Sequence, residues 1–346
     1  MTQIILNETS PIHGRVRLIE VDDDGNQEVV VDHRNLITDV FINSIISRIL
    51  GTATARDTMA ITQQALGSGA VPPVSTGTNL AAEFHRKVID NKARSANQII
   101  LSTTFSSLEA NVPQGRITDR YAGTANQSKN TWTIAPYLSG LSPLDTAYVS
   151  SYFKRFREGD LVRIGLGSGN KTYVYANLTS VIYNAAATNC VITISPDLTE
   201  YPPNLATVDG LINEAGVYAD SPNLLTVQAS PAPTAVTFAV DDASLLAQGD
   251  QIIHRKTTTD INGATFENSQ IGTILSITGN TITLTSPGLT PLFPVNGSSP
   301  APTVTAPVAG DKIWAGRLYN WVSGLRFVKS RQKNVLVETI FTTGNG

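Results

Sequence analysis

Apolar and polar positions alternate along most of this chain, the two-residue period of strands that bury one face. Arg15-Val16-Arg17-Leu18-Ile19-Glu20-Val21 and Glu28-Val29-Val30-Val31-Asp32 flank Asp22-Asp23-Asp24-Gly25-Asn26, and the Asp-Gly step predicts a hairpin turn. One segment breaks the period. From Asn35 to Leu50, the residues Leu36, Ile37, Val40, Phe41, Ile45, Ile46, Ile49 and Leu50 recur at threes and fours, which predicts a helix capped by Asn35 and stopped by Gly51. Its main stripe suits a core helix against a sheet, with a partner-facing helix as the alternative, and Ile42, off that stripe, implies contact on a second side. A short strand over 63–69, a Gly/Pro/Ser loop, a helical turn capped at Thr78 or Asn79 and a long strand over 97–105 follow. At the far end, Asn334 to Phe341 is apolar on both faces, so this strand should be buried or paired with a neighbouring chain.

The middle of the chain repeats itself. Phe156-Arg157-Glu158-Gly159-Asp160-Leu161-Val162-Arg163-Ile164 leads, through Tyr173-Val174-Tyr175, to Val191-Ile192-Thr193-Ile194-Ser195-Pro196. Leu246-Ala247-Gln248-Gly249-Asp250-Gln251-Ile252-Ile253 leads, through Gly272-Thr273-Ile274-Leu275 and a Gly279-Asn280 turn, to Thr281-Ile282-Thr283-Leu284-Thr285-Ser286-Pro287. In each copy Gly-Asp (Gly159-Asp160, Gly249-Asp250) launches an alternating strand, a middle strand follows, and a Thr/Ile strand ends at proline. Gly310-Asp311-Lys312-Ile313 echoes the launch a third time. The expected fold is mainly β: an α+β core with one main amphipathic helix, carrying two inserted small antiparallel β-barrel or sandwich modules. The core takes residues 1–115, 210–228 and 311–346, and the modules take 116–209 and 229–310.

Composition narrows the function. The 346 residues carry 15% charged side chains and 41% apolar ones, a balance that favours a folded chain over a disordered one. A net charge of −3 gives no basic excess to neutralise a phosphate backbone, so nucleic-acid binding is not expected. No run approaches a membrane span, and no basic, long-apolar leader opens the chain. The single cysteine, Cys190, lies in an apolar strand pattern and reads as a buried thiol.

Candidate chemistry fails on spacing. Gly165-Leu166-Gly167-Ser168-Gly169-Asn170-Lys171-Thr172 has Asn where a phosphate loop needs Gly before Lys-Thr, and strand pattern follows it, so it reads as a turn. Glu20, Asp22 and Asp24 alternate before Gly25, but Val31 stands where a calcium loop needs Glu. His13, His33, His85 and His254 show no metal-ligand spacing. No nucleophile elbow or paired catalytic carboxylates emerge, so no catalytic, metal or cofactor residue is expected; polysaccharide cleavage is the form an enzyme would take. Tyr173-Val174-Tyr175 and Tyr201-Pro202-Pro203 suit sugar stacking, although barrel core and loop packing is the simpler reading.

Two short strings resemble a pattern of bacteriophage tail proteins. Ala65-Leu66-Gly67-Ser68-Gly69, the loop to Thr78-Asn79-Leu80, and Ala82-Glu83 with Arg86 are similar to its GtG, T-x-L-x-x-E and Arg elements. Ile212-Asn213-Glu214-Ala215-Gly216-Val217-Tyr218 is similar to its acidic-hydrophobic box, delayed here by about a hundred residues. The resemblance covers about 150 residues and implies a non-enzymatic virion protein of the tail, baseplate or fibre-attachment region. Such a protein would be made in the host cytoplasm, form threefold or sixfold homo-oligomers, and bridge other virion proteins. A capsid decoration protein and a receptor- or glycan-binding module are the alternatives. The motif residues Gly67, Gly69, Leu80, Glu83, Arg86, Glu214, Gly216 and Tyr218 are then architectural. Glu83 and Arg86, one helical turn apart, should pair or bond to the neighbouring strand; Gly216 should allow close backbone approach; Glu214 should need a partner, Arg86 or Arg317.

Overall fold

The computed structural model describes residues 12–343, except 55–59, 78, 108, 122–126, 138–152, 167–171, 185–187, 220–224, 255–256, 260–264, 268–269, 292–303 and 330–332. It is mainly β, with one α-helix among the described residues. The first strands are β1 (Ile12–Val21), β2 (Gln27–Ile37), β3 (Ile61–Gly67), β4 (Glu83–Val88), β5 (Asn91–Ser95) and β6 (Gln98–Phe105). Six more follow: β7 (Gln114–Asp119), β8 (Thr131–Pro136), β9 (Leu161–Leu166), β10 (Thr172–Tyr183), β11 (Cys190–Ser195) and β12 (Thr207–Gly210). Next come β13 (Ile212–Ala219), β14 (Leu225–Thr226), β15 (Thr237–Ala239), β16 (Gln251–His254), β17 (Thr257–Thr259) and β18 (Thr265–Glu267). The chain closes with β19 (Gln270–Thr278), β20 (Thr281–Leu284), β21 (Thr290–Pro291), β22 (Lys312–Phe327) and β23 (Asn334–Thr343).

The predicted hairpin forms as β1 and β2. Its tip is closed by Asp22 N–H to the Asn26 carbonyl at 3.1 Å, and the Asp22 carboxylate accepts the Asn26 backbone and side-chain N–H groups. The C-terminal strand β23 is internal, paired antiparallel with β1 on one side and β6 on the other, which accounts for its apolar character. β5 forms the edge beyond β6, and β22 pairs with β13, which pairs with β3, and β3 with β4. These two arms of the sheet fold against each other. Val16, Leu18, Phe105, Val335 and Val337 from one arm meet Leu66, Phe84, Ala215, Val322 and Phe327 from the other. Gln64 Nε2 donates to Thr339 Oγ1 across that interior at 2.9 Å.

The helix α1 (Asp39–Ile49) starts four residues later than its periodicity predicts. Leu36 and Ile37 instead extend β2 and pair with Trp321 and Asn320 of β22, because those apolar side chains serve the sheet as well as a helix. Thr38 stands at the cap and sends its hydroxyl to the Leu318 carbonyl at 2.8 Å. Val40, Phe41 and Ile42 all pack on the one cluster around Tyr319 and Phe341, so Ile42 joins the main stripe there. The core-helix expectation needs correction, however: the last turn faces outward, with Ile49 77% exposed. Gly51, at φ +69°, ends it as expected.

Strands β7 to β12 close into a barrel in the order β10-β11-β8-β7-β12-β9. Trp132, Ile164, Leu178, Cys190, Ile192 and Val208 fill its interior. Burial pushes the Cys190 thiol well above its ordinary range, as fits an inert core residue. The strands of the second repeat pair in the same sequence: β19 with β20, β20 with β15, β19 with β16, β16 with β22, and β22 with β14. A Val227–Val240 bridge then links the β14 and β15 ends of the set.

The Gly-Asp launches are alike in detail. Gly159, Gly249 and Gly310 have φ of +86°, +86° and +93°, a region that β-carbon-bearing residues avoid. Each following Asp turns its carboxylate back to the N–H three residues earlier: Asp160 to Arg157, Asp250 to Ala247, and Asp311 to Val308, at 2.9–3.1 Å. Each glycine N–H reaches across to a neighbouring strand, at Leu178, Ile274 and Val227 respectively. The turn is thus a cooperative unit of one left-handed residue and one carboxylate clamp.

Nothing crowds the α-carbons of these three glycines, so replacing each with Ala isolates the cost of φ. Gly159→Ala, Gly249→Ala and Gly310→Ala should each lower stability by about 1 kcal/mol in urea unfolding. Cys190 should resist a maleimide in native buffer and react at once in denaturant, read by mass spectrometry.

Candidate functional site

The eight residues of the two resembling strings converge on one place, the face of β13, β3 and β4 turned away from the two-arm core, while the Gly-Asp turns and the paired tyrosines lie elsewhere. Strand register sets this up. On β13, Glu214, Gly216 and Tyr218 share a face and stand opposite Gly67, Ala65 and Gln63 of β3. On the other side of β3, Gly67 pairs with Glu83 and Ala65 with Arg86.

No helical turn exists at Glu83–Arg86; these residues lie in β4, and the Asn79 cap reading falls with it. Thr78, the other proposed cap, lies outside the described residues. Two residues three apart on a regular strand would point to opposite faces. A bulge in the β3–β4 pairing between Leu66 and Gly67 leaves Phe84 as an extra residue, which restores Glu83 and Arg86 to one face. Their pairing is therefore real for a different reason: Nε and Nη2 of Arg86 each donate to a Glu83 carboxylate oxygen at 2.8 Å, with both side chains fully buried. The Arg86 guanidinium lies 3.6 Å from the Tyr218 ring centroid, and its Nη1 reaches Gln63 Oε1 at 3.3 Å. Such a pair repays its desolvation only with this much hydrogen bonding around it.

Glu214 is fully buried, and neither Arg86 nor Arg317 is its partner. Its carboxylate accepts four N–H groups: Gly69 and Ala82 at Oε1 (3.1 and 2.6 Å), Ala81 and the Trp321 indole at Oε2 (3.0 and 3.1 Å). Burial pushes the carboxyl above the usual carboxylate range while these donors pull it back. A bare backbone lets the carboxylate approach so closely. A β-carbon on Gly67 or Gly69 would sit 2.4 or 2.7 Å from Oε1, and one on Gly216 would strike the Asn320 carbonyl at 2.6 Å. Leu80 caps the face, packed with Ala65, Tyr218, Leu318 and Trp321, and its N–H donates to the Tyr218 hydroxyl at 3.0 Å. Burial also holds the Tyr218 phenol far above its ordinary value.

Ser68, between the two glycines, faces the other way and joins this face to the barrel. Its hydroxyl donates to Asp160 Oδ1 at 2.6 Å and accepts from Arg157 Nη2 at 2.7 Å, while the same Nη2 reaches the Ala82 carbonyl at 2.9 Å. Burial raises the Asp160 carboxyl, opposed by Arg157 and Ser68. The first repeat turn thus doubles as the barrel's attachment to the Gly-Ser-Gly loop. In the second strand set, Asp311 takes an added partner that sequence reasoning missed: His254 Nε2 lies 2.8 Å from Asp311 Oδ2, and Gln270 Nε2 lies 3.3 Å from His254 Nδ1. The signal was present, since each residue lies in a repeat strand or turn, but only pairing places them together.

The tyrosines proposed as barrel core are on the barrel's outside. Tyr173 and Tyr175 are 40% and 37% exposed, with the Arg163 guanidinium 4.1 Å from the first ring and that of Arg326 4.6 Å from the second. Tyr201, half exposed, lies 5.3 Å from Lys129 Nζ. Of the Gly-rich run 165–172, residues 167–171 lie outside the described residues; the strands on either side, β9 and β10, pair antiparallel. Among the described residues no group of three or more His, Cys, Asp or Glu could hold a metal ion.

Chemically, the convergent face spends its charges on the fold. The two carboxylates and the guanidinium are buried and hydrogen-bonded, an arrangement that orients chain segments. No protein-family model matches the chain, and no curated protein or solved structure matches it.

Breaking the ion pair one side at a time should leave an uncompensated buried charge. Glu83→Gln and Arg86→Met should each cost about 3 to 5 kcal/mol in chemical unfolding, and Glu83→Leu/Arg86→Met together should cost less than the sum.

Proposed function

We propose that this chain is a non-enzymatic structural protein of a bacteriophage virion, in the tail, baseplate or fibre-attachment region, which self-associates and bridges other virion proteins. The observation that carries the reading is the meeting of all eight motif residues on one buried face, although about 130 positions separate Arg86 from Glu214. Residues whose chemistry is wholly absorbed in joining distant segments suit a scaffold. In this reading the two-arm sheet is the core of a discontinuous domain, and the two strand sets of like order are modules inserted into it. The first is the closed barrel, and the second shares β22 with the core. Low charge and abundant Thr, Ser and Asn suit broad, hydrated, permanent interfaces between subunits.

A second reading has an observation of its own: Tyr173 and Tyr175 present half-exposed rings braced by arginines on the barrel exterior, a rigid surface on which a sugar ring can stack. Within the first reading, this makes the first module a receptor contact.

Immunogold labelling of phage particles should place the protein on the tail or baseplate. Signal on capsid faces would instead favour a decoration protein, and absence from particles would overturn the proposal. Sedimentation of the purified chain should show a discrete oligomer, threefold or sixfold, persisting at micromolar concentration. A glycan array decides the second reading: Tyr173→Ala/Tyr175→Ala should abolish any binding the parent shows, and a parent that binds nothing removes it.

A further inference from the structure

One buried cation lies apart from the face described above. Lys329, just beyond β22, is fully buried, and its Nζ donates to the Ser106 carbonyl at 2.8 Å and to Asn111 Oδ1 at 2.9 Å. Asn111 is 1% exposed and donates its Nδ2 to the Ser107 carbonyl at 2.7 Å. Ala110, Val112, Phe105, Phe327 and Val335 make the surroundings apolar. The turn that carries Asn111 is held firmly: Ser106 N–H donates to Glu109 Oε2, Glu109 N–H to the Ser106 carbonyl, and Ser107 N–H to Asn334 Oδ1. Ala110, the preceding residue, sits at φ +51°, a conformation seldom kept by a residue with a β-carbon. The Val112 N–H meets the Lys329 carbonyl at 3.4 Å, which brackets the contact from the backbone.

We propose that Lys329 and Asn111 join spontaneously in an isopeptide bond that locks the two arms of the sheet together. With Oδ1 2.9 Å from Nζ and a carbonyl bond of about 1.2 Å, the amide carbon Cγ is at most about 4.1 Å from the nucleophile, and a shift of the lysine head closes it to the about 3–3.5 Å of reacting atoms. Burial lowers the Lys329 pKa to about 8, so about a tenth of the amine is neutral at pH 7, the form that attacks. In the step, Nζ forms a bond to Cγ and the Cγ–Nδ2 bond breaks. Nζ gives up one hydrogen, and Nδ2 takes it and leaves as ammonia, so no oxidant or reductant is needed. Glu109, two residues from Asn111, is one of the two carboxylates whose charge acts on Lys329. Lys87 Nζ holds Glu109 at 3.0 Å and, with the Ser106 N–H, keeps its carboxyl below the usual range. The other charge acting on Lys329 is Glu20. The bond would tie the turn after β6, in one arm, to the end of β22, in the other. The inference rests on this contact and not on a virion role.

The test is the intact mass of the purified, folded full chain, incubated at pH 9 to favour the neutral amine. The expected mass is one ammonia below that of the sequence, and trypsin should release a branched peptide joining 95–116 to 327–331 through Asn111 and Lys329. Lys329→Arg should restore the full mass. Asn111→Asp should instead lose one water, which keeps the test open should the arginine variant not fold. A wild-type chain of full mass after the incubation overturns the proposal. So does an ammonia loss that survives in Lys329→Arg, which would place the loss in a succinimide or elsewhere.

Discussion

A carboxylate buried in the fold and held by four N–H groups is the constraint on which the rest of this architecture turns. Glu214 cannot sit unpaired in an apolar interior, and it finds no cation. It draws its donors from Gly69, Ala81 and Ala82 in one loop and from Trp321 in β22. Satisfying it therefore sets the path of the loop after β3, the register of β13 against β3, and the position of β22. The glycines follow from the same need, because the carboxylate occupies the space where side chains at 67 and 69 would stand.

The Glu83–Arg86 pair extends that logic by one strand. It stacks on Tyr218, whose hydroxyl takes the Leu80 N–H, so the loop is fastened from both ends to the same sheet face. Ser68 carries the connection outward to Asp160 and Arg157 of the barrel. A polar network of this kind is costly where any member is missing and rigid where all are present.

Much of the fold was legible because short-range physics dictated it. The hairpin at Asp22–Asn26, the strand pattern of β23, the Gly51 stop and the repeated Gly-Asp turns each depend on residues within a few positions of one another. The errors arose where one local pattern served two structures. Leu36 and Ile37 fit helix and strand alike, and the pairing of β2 with Trp321 and Asn320 decided for strand. Glu83 and Arg86 look like neighbours on a helix, and a bulge makes them neighbours on a strand. Tyr173 and Tyr175 fit a barrel core by composition, yet the alternation of β10 turns them outward, with Ala176 and Leu178 inside.

By itself, the sequence determined the hairpin tip, the Gly-Asp turns and most strand patterns, because hydrophobic period, glycine freedom and Asp clamps act locally. It also marked Glu214 as a carboxylate in need of partners. Only the tertiary structure decided who those partners are, that the two repeats pair their strands in the same order, and that Lys329 rests against Asn111. Those outcomes depend on register and on closures between segments tens to hundreds of residues apart, where a shift of one residue turns every side chain to the opposite face.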